Sequence, residues 1–184
     1  MDRLLSLLDH ANDLKQLPRT GWLLAGVATP ESVADHSFAV AVLALFLAEL
    51  VNEDWAAEGL KEPLDVGEVA RLALIHDLAE SVLTDLPLRS AELLGVAVKH
   101  EAEERAIERL LADLPRGADY AARWRTYDAA STPEARLVKD ADKLEMTHQA
   151  RRYERRGHAN LGEFQQDRRW YYEVSQKVFA ALTA

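Results

Sequence analysis

The chain has 184 residues, of which 48% are apolar, enough for one globular domain with its own hydrophobic core. It contains no cysteine, so disulfide bonds and thiolate metal ligands are excluded, and any metal site must use nitrogen and oxygen ligands. The net charge of -9 argues against a protein that coats nucleic acid through its overall electrostatic field. That charge still permits a small anionic substrate held by one or two local cations.

The apolar content gives no sign of a membrane segment. Residues 1–17 have acidic and polar side chains where a signal peptide would need an apolar core. The longest uninterrupted apolar run, Phe38 to Ala48, is about half of the ~20 residues that span a bilayer. The sequence therefore predicts a soluble cytoplasmic protein with no membrane partner.

Apolar residues recur at helical spacing along most of the chain, and no segment shows the alternation typical of a strand. Two similar segments, Thr29-Pro30-Glu31 and Thr132-Pro133-Glu134, combine an N-capping hydroxyl, a proline and an acid, and both indicate a helix start. Asp65 and Glu68 have the spacing of a capping box. The predicted helices cover residues 2–16, 30–53, a stretch after Asp65 that includes Val69 to His76, then 99–113, 118–129, 133–156 and 161–182, with Gly157 as a C-terminal cap and a loop around 85–87.

No repeat, linker or low-complexity stretch divides these helices. The sequence thus predicts a single all-α domain over residues 1–184. Its helix 99–113 is strongly charged, and we interpret one group of side chains there as an exposed face with internal ion pairs. This group consists of Lys99, Glu101, Glu103, Glu104 and Arg105.

Three of the predicted helices each bring a potential metal ligand to their inward side. His36 precedes the apolar stripe Val40, Leu43, Leu47 and Leu50, His76 continues the stripe Val69, Leu72 and Ala73 with Asp77 next to it, and Asp142 lies at the edge of the stripe that contains Val138. A lone inward histidine is more often a hydrogen-bonded core residue, and an acid at a stripe edge is usually a cap or an arginine partner. Buried carboxylates nevertheless need compensation, and one divalent cation would satisfy all four groups. Such a nitrogen and oxygen set suits Mn, Fe, Co, Ni or Zn, with Mg also possible.

The order of these ligands, with the His76-Asp77 doublet at its centre, resembles the HD-domain metal-dependent phosphohydrolases. Four segments extend the resemblance to the branch that contains the YfbR-type 5'-deoxynucleotidases and HD-domain-containing protein 2, over about residues 14–156. They are "RTGWLLAGVATPESVADHS", "LIHDLAESVLTDLP", "KHEAEERAI" and "LVKDADKLEMTHQARRYE". The resemblance implies a helical HD-domain bundle and a metal-dependent hydrolase of (deoxy)ribonucleoside 5'-monophosphates.

The resemblance also assigns roles to individual residues. The residues that match the metal ligands are His36, His76, Asp77 and Asp142, and Asp140 is a rival for the last position that the context "DADKLE" disfavours. Glu80 matches the residue that positions or activates the attacking water, and Asp85 in "TDLP" matches an acid that contacts water or the sugar. The spacing of Glu80 from His76 and Asp77 independently places it near the same helix face.

Substrate contacts are implied for Arg19 and Trp22. Arg19 matches an arginine that holds the substrate phosphate, a role that suits the planar guanidinium group. Trp22 matches less closely, because the tryptophan of the YfbR-type enzymes directly follows that arginine, whereas Thr20 and Gly21 intervene here.

Two alternatives stay open. The substrate could be another nucleotide, such as a triphosphate, a cyclic nucleotide or an alarmone. The chain could also be a helical binding protein that keeps a metal for stability alone, although Glu80, Asp85 and Arg19 would then have no purpose. The family further implies that the protein binds a small-molecule nucleotide as its substrate and forms a homodimer. The long helices with Trp and Tyr near the C-terminus are one possible dimer interface.

Overall fold

A computed structural model describes residues 1–166 and 169–184, except for the side chain of Leu88. Over this part of the chain the fold contains α-helices, one short 3-10 helix and no strand, which confirms the all-α prediction. The helices are α1 (Asp2–Asp13), α2 (Thr20–Leu24), α3 (Val33–Glu53), α4 (Val66–Ile75), α5 (Glu80–Leu83), α6 (Leu88–Leu94), α7 (Val96–Leu111), α8 (Gly117–Asp128), α9 (Pro133–Arg155) and α10 (Glu173–Thr183), with the 3-10 helix at Gly162–Gln165.

The chain divides into two compact units, each formed from two separate stretches of sequence. The first unit consists of Met1–Ser37 and Ile75–Ala129, and the second of Phe38–Leu74 and Ala130–Ala184. In the first unit α7 packs against α5 and α8, and its buried cluster is formed by Ala79, Ala106, Ile107, Leu110, Leu111, Ala121 and Trp124. In the second unit α9 packs against α10, and the Tyr172 hydroxyl donates to the Pro133 carbonyl at 2.8 Å.

Several helix ends follow the local signals in the sequence. Thr132 Oγ1 accepts from the Ala135 amide at 3.2 Å, so Thr132 caps α9 as predicted. Asp65 Oδ1 accepts from the Glu68 amide at 3.1 Å at the start of α4. Gly157 has a φ of 93° just after α9, a left-handed conformation that suits glycine at a helix C-terminus.

The start of α3 differs from the prediction. α3 begins at Val33 and not at Pro30, because the residues before it lie extended beside residues 17–19: the Arg19 amide donates to the Glu31 carbonyl at 3.0 Å, and the Val33 amide to that of Leu17 at 2.8 Å. Ser32 and Asp35 form the actual capping box, in which the Ser32 amide donates to Asp35 Oδ2 at 2.9 Å and the Asp35 amide to Ser32 Oγ at 3.1 Å. The prediction that Thr29 is the N-cap is therefore wrong.

The continuous helix predicted over 161–182 is also wrong. The described part of this segment forms the 3-10 helix Gly162–Gln165 and then α10 from Glu173, while residues 167 and 168 lie outside the described part. The amides of Tyr171 and Tyr172 instead donate to the buried carboxylate of Asp140, at 2.9 and 3.2 Å. Tertiary hydrogen bonds thus replace helical ones before α10.

α3 is apolar on more than one side. Val40 and Leu47 are buried as predicted, but Leu50, which was expected to point inward, is 46% exposed. By length and composition alone, α3 is long and apolar enough to cross a membrane, with a mean hydropathy of 1.7 over 18 residues. This measure is weak evidence on its own, because the core helix of a soluble protein passes the same test.

Candidate active site

The His76-Asp77 doublet lies in a tight turn where α4 ends, and not inside the helix. α4 ends at Ile75, and the Glu80 amide donates to the Asp77 carbonyl at 3.0 Å as α5 begins. The indole of Trp124 donates to the His76 carbonyl at 3.0 Å, which holds the turn from α8. Glu80 therefore begins a second, short helix after the turn and does not belong to α4.

Two imidazoles and one carboxylate converge in the first unit. His36 and His76 are 0% and 3% exposed, and the centroids of their rings are 5.5 Å apart. Asp77 Oδ2 lies 3.6 Å from His36 Nε2 and 3.2 Å from His76 Nε2. This donor set has the chemistry of a borderline nitrogen and oxygen metal site, so these three residues could hold a divalent ion.

Arg19 is placed beside this cluster by two acids. Its Nη1 lies 3.1 Å from Asp77 Oδ2, and its Nε lies 3.9 Å from Asp85 Oδ2. The Thr20 amide donates to Asp85 Oδ2 at 2.6 Å, so Asp85 also fixes the backbone next to the arginine. The two carboxylates orient a guanidinium group whose side chain is 16% exposed.

Among the acids of this group, Glu80 has the fewest contacts that would stabilise a negative charge. It is 7% exposed, and its Oε2 has no hydrogen-bond partner among the described residues. Burial and then the negative charges of Asp77 and Asp85 raise the pKa of Glu80 well above its usual range, against the opposing charge of Arg19. Burial would also raise the pKa of Asp77, but the charges of His76, Arg19 and His36 outweigh it and hold that pKa well below its usual range.

Glu80 also borders an open cavity of about 350 Å³, a volume that falls within the range of small-molecule sites. The other lining residues come from the end of α1, from α5 and from the loops that follow these two helices: Asp13, Gln16, Leu17, Ser81, Val82 and Thr84.

Trp22 is buried, and its contacts are with other residues of the fold. It is 2% exposed, and its indole donates to Glu31 Oε1 at 2.9 Å. The Trp22 amide donates to the Arg19 carbonyl at 3.2 Å, so the tryptophan anchors the short helix that follows Arg19. Contact between Trp22 and a substrate stays a prediction.

The two candidate aspartates of α9 belong to the second unit. Asp140 is 0% exposed and accepts from the Tyr171 and Tyr172 amides and from Lys143 Nζ, the last at 3.2 Å. These bonds occupy Asp140 within its own unit. Asp142 is half-buried on the same helix, and its assignment as a metal ligand stays a prediction from the family pattern.

The prediction of an exposed charged face on α7 is wrong for Lys99 and Glu103. Lys99 Nζ lies 2.6 Å from Glu103 Oε1, and these side chains are only 23% and 13% exposed, not part of an exposed face. The neighbouring pair of Glu101 and Arg105 is exposed, at 62% and 73%, as expected. A signal was available, because residues 99 and 103 continue the apolar stripe of Ala106 and Leu110 at helical spacing.

Comparison with known proteins agrees with this fold. The HD domain family matches residues 11–182, and the chain therefore belongs to the HD domain family. It is 37% identical to 5'-deoxynucleotidase HDDC2 of Danio rerio over 158 residues, which cover 84% of this chain and 71% of that protein. The HDDC2 protein of Homo sapiens is 34% identical over 153 residues, 82% of this chain and 68% of that protein.

A solved structure is similar over nearly the whole chain. A conserved hypothetical protein from Pyrococcus furiosus superimposes with a TM-score of 0.80 at 38% identity, covering 97% of this chain and 98% of that one. The resemblance to the HD family that the motifs indicated is therefore confirmed.

Proposed function

We propose that the protein is a metal-dependent 5'-nucleotidase that hydrolyses (deoxy)ribonucleoside 5'-monophosphates to a nucleoside and phosphate. The observation that supports this most is that Asp77 Oδ2 lies 3.6 Å from His36 Nε2 and 3.2 Å from His76 Nε2. Arg19 and Glu80 lie beside this cluster. The relatives named 5'-deoxynucleotidase support the choice of a nucleoside monophosphate.

The metal would be held by His36, His76 and Asp77, with Asp142 as the fourth ligand of the family pattern. A divalent ion of the Mn, Co, Fe, Ni or Zn type, or Mg, would supply positive charge that polarises a phosphoryl oxygen and acidifies water. The three residues of the first unit fit such an ion because two imidazoles and a carboxylate already face one another there.

The chain's own residues supply the remaining chemistry. Arg19 binds the phosphate oxygens, and Asp77 and Asp85 hold its guanidinium group in a fixed orientation. Glu80 accepts a proton from the water that attacks phosphorus, a role that suits a buried carboxylate with a raised pKa. The bond between phosphorus and the 5'-oxygen breaks, and the nucleoside leaves after its 5'-oxygen takes up a proton.

The test is phosphate release by metal-stripped protein, with Mn, Co, Mg, Ni and Zn restored one at a time. The substrates would be deoxy- and ribonucleoside 5'-monophosphates, the matching 3'-monophosphates and the triphosphates. We expect turnover of 5'-monophosphates that depends on the added ion. Turnover of triphosphates alone, or a thermal stabilisation by metal with no turnover of any compound, would contradict the proposal.

We also propose that the protein is a cytoplasmic homodimer whose chain folds as a single HD domain over residues 1–184. Along α3, Phe38, Val42, Phe46 and Leu50 recur every four residues, and they are 70%, 41%, 68% and 46% exposed. An exposed apolar stripe of this kind supports an interface with a second copy. The C-terminal aromatics support it less, because Trp170 packs on Phe179 with ring centroids 5.1 Å apart.

A further inference from the structure

α7 presents one continuous stripe of side chains to α5. Ala106, Ile107 and Leu110 are buried in the same cluster as Ala79, which immediately precedes Glu80. Residues at i, i+4, i+7 and i+11 of a helix share one face, so Lys99 and Glu103 continue this stripe by two turns toward the N-terminus of α7. The polar end of the stripe thus lies on the side of α7 that faces the helix of Glu80.

Two acids of the candidate site act on the ammonium group of Lys99. Burial alone would lower the pKa of Lys99, but the hydrogen bond and charge of Glu103, followed by the charges of Glu80 and Asp77, raise it. Lys99 is therefore a protonated cation in a largely buried position, within electrostatic reach of two residues of the proposed active site. An ion pair at such a position is weak evidence for a stabilising role, since apolar side chains of similar volume often serve stability as well.

The proposed substrate would bring more negative charge to this place. A phosphate monoester has a charge of roughly -1.5 to -2 at neutral pH, and Asp77, Glu80 and Asp85 are already acidic. Arg19 offers one cation there, and both of its acidic neighbours compete for it. A compact ammonium group on a flexible stem is well suited to bind a phosphate as a point charge.

We propose that Lys99 is a second substrate-binding cation of this enzyme, contacting the phosphate group beside Arg19 while Glu103 holds its ammonium group in place. This inference rests on the proposed function. Lys99 is then a residue of the phosphate subsite, and the Glu101–Arg105 pair of the same helix is a surface feature.

The experiment compares Lys99→Met with Arg105→Met, because each variant removes one cation from an ion pair between residues four apart on α7. Steady-state kinetics would give KM and kcat, and inhibition by inorganic phosphate and by the uncharged nucleoside would be measured separately. We expect Lys99→Met to raise KM and the phosphate inhibition constant by about 10- to 100-fold, with nucleoside inhibition within about twofold of wild type. Arg105→Met should leave all of these values within about twofold, and Lys99→Arg should restore most of the phosphate affinity.

Equal phosphate inhibition and equal KM in Lys99→Met and Arg105→Met would overturn the inference. If Lys99→Met melts before assay, the double variant Lys99→Gln/Glu103→Gln keeps a neutral hydrogen-bonded pair, and the same comparison applies. Should the wild-type protein hydrolyse no nucleotide, the proposed function fails by itself. Calorimetric titration of the Mn-loaded protein with inorganic phosphate then tests Lys99 alone. Weaker phosphate binding by the variant than by wild type supports the inference. Equal binding by both proteins, or no detectable binding by wild type, overturns it.

Discussion

Glu80 shows at the scale of one residue how a proposed catalytic role opposes stability. Its carboxyl group is buried at the start of α5, close to two other acids, with Oε2 lacking a hydrogen-bond partner among the described residues. Such an arrangement favours the protonated form and destabilises the ionised one. The proposed mechanism nevertheless needs a proton acceptor for water at this place, and the cost in stability falls where that chemistry is proposed to occur.

Glu80→Gln should therefore separate activity from stability. We expect phosphate release to fall by about 100-fold or more, because the proton acceptor is lost. Glutamine keeps the size of the side chain, so the far-ultraviolet circular dichroism and the metal affinity should stay close to those of wild type. Full activity in this variant with metal bound would contradict the assigned role.

The same variant predicts a pH dependence of stability in the metal-free protein. The pKa of Glu80 is raised in the folded state above its usual 4.5, so the folded protein binds this proton more tightly than the unfolded chain does. Ionisation of Glu80 as the pH rises through the folded pKa then lowers the free energy of unfolding. The Tm advantage of Glu80→Gln over wild type, measured in a chelating buffer, should grow with rising pH and shrink toward 4.5. An advantage that does not change with pH would refute this account.

The two aspartates of α9 should also behave differently. Asp140→Asn removes a charge that Lys143 and two backbone amides share, and we expect a loss of about 2 kcal/mol in the free energy of unfolding. Asp142→Asn should instead weaken metal binding. Urea unfolding and calorimetric metal titration of both variants would measure this. The reverse pattern would make Asp140 the ligand.

At the scale of elements, the turn between α7 and α8 is unusually tight. Asp113 and Arg116 both have a positive φ, of 62° and 59°, which few residues other than glycine adopt. The Gly117 amide donates to the Leu114 carbonyl at 2.9 Å, and α8 starts directly. The turn precedes α8, whose Trp124 donates to the His76 carbonyl, so α8 links the turn to the His76-Asp77 doublet.

Gly117→Ala should disrupt that turn. A Cβ at residue 117 would lie 2.0 Å from the Leu111 carbonyl oxygen, so the backbone has to move, and we expect a loss of about 3 kcal/mol in the free energy of unfolding. Gly162→Ala is the matched control, because a Cβ there meets no atom within 4 Å. Its effect should stay within about 0.5 kcal/mol in urea unfolding. Equal effects of the two substitutions would contradict the steric argument.

At the scale of the whole molecule, each compact unit is built from two distant stretches of sequence. The first unit joins residues 1–37 to 75–129, so His36 reaches His76 and Asp77 only through tertiary folding. The second unit is closed in part by Glu58, whose carboxylate accepts from the Glu173 and Val174 amides at 2.6 and 2.9 Å. The exposed stripe of α3 is a feature of the second unit that its internal packing does not explain.

The proposed homodimer gives this stripe a testable purpose. Sedimentation of the wild-type protein should give twice the chain mass of 20.6 kDa, and Phe46→Glu should give monomers, because it buries a charge in an apolar interface. Leu93→Glu is the control, since Leu93 is a 90% exposed leucine of the first unit. A monomeric wild-type protein at micromolar concentration, or dissociation by Leu93→Glu alone, would argue against α3 as the interface.

Local signals in the sequence were sufficient for much of the fold. Thr132, Asp65 and Gly157 act on atoms within three or four residues, so their capping roles follow from short segments of sequence. The burial of His36 and His76 was likewise predictable, because each is spaced from buried apolar residues as on one helix face, although His76 lies in the turn just after α4. The order of motifs then indicated the HD family, which the match over residues 11–182 confirms.

Other features depended on partners far away in the chain, and only the tertiary structure decided them. α3 starts late because residues 17–19 bind the segment before it, and the last predicted helix is interrupted because Asp140 binds the amides of residues 171 and 172. Lys99 and Glu103 continue the apolar stripe of α7 in the sequence, but only the structure shows that both charged side chains are largely buried. Sequence by itself determined which residues can cap, ligate or pack, whereas burial and orientation depend on contacts between segments that its local patterns do not specify.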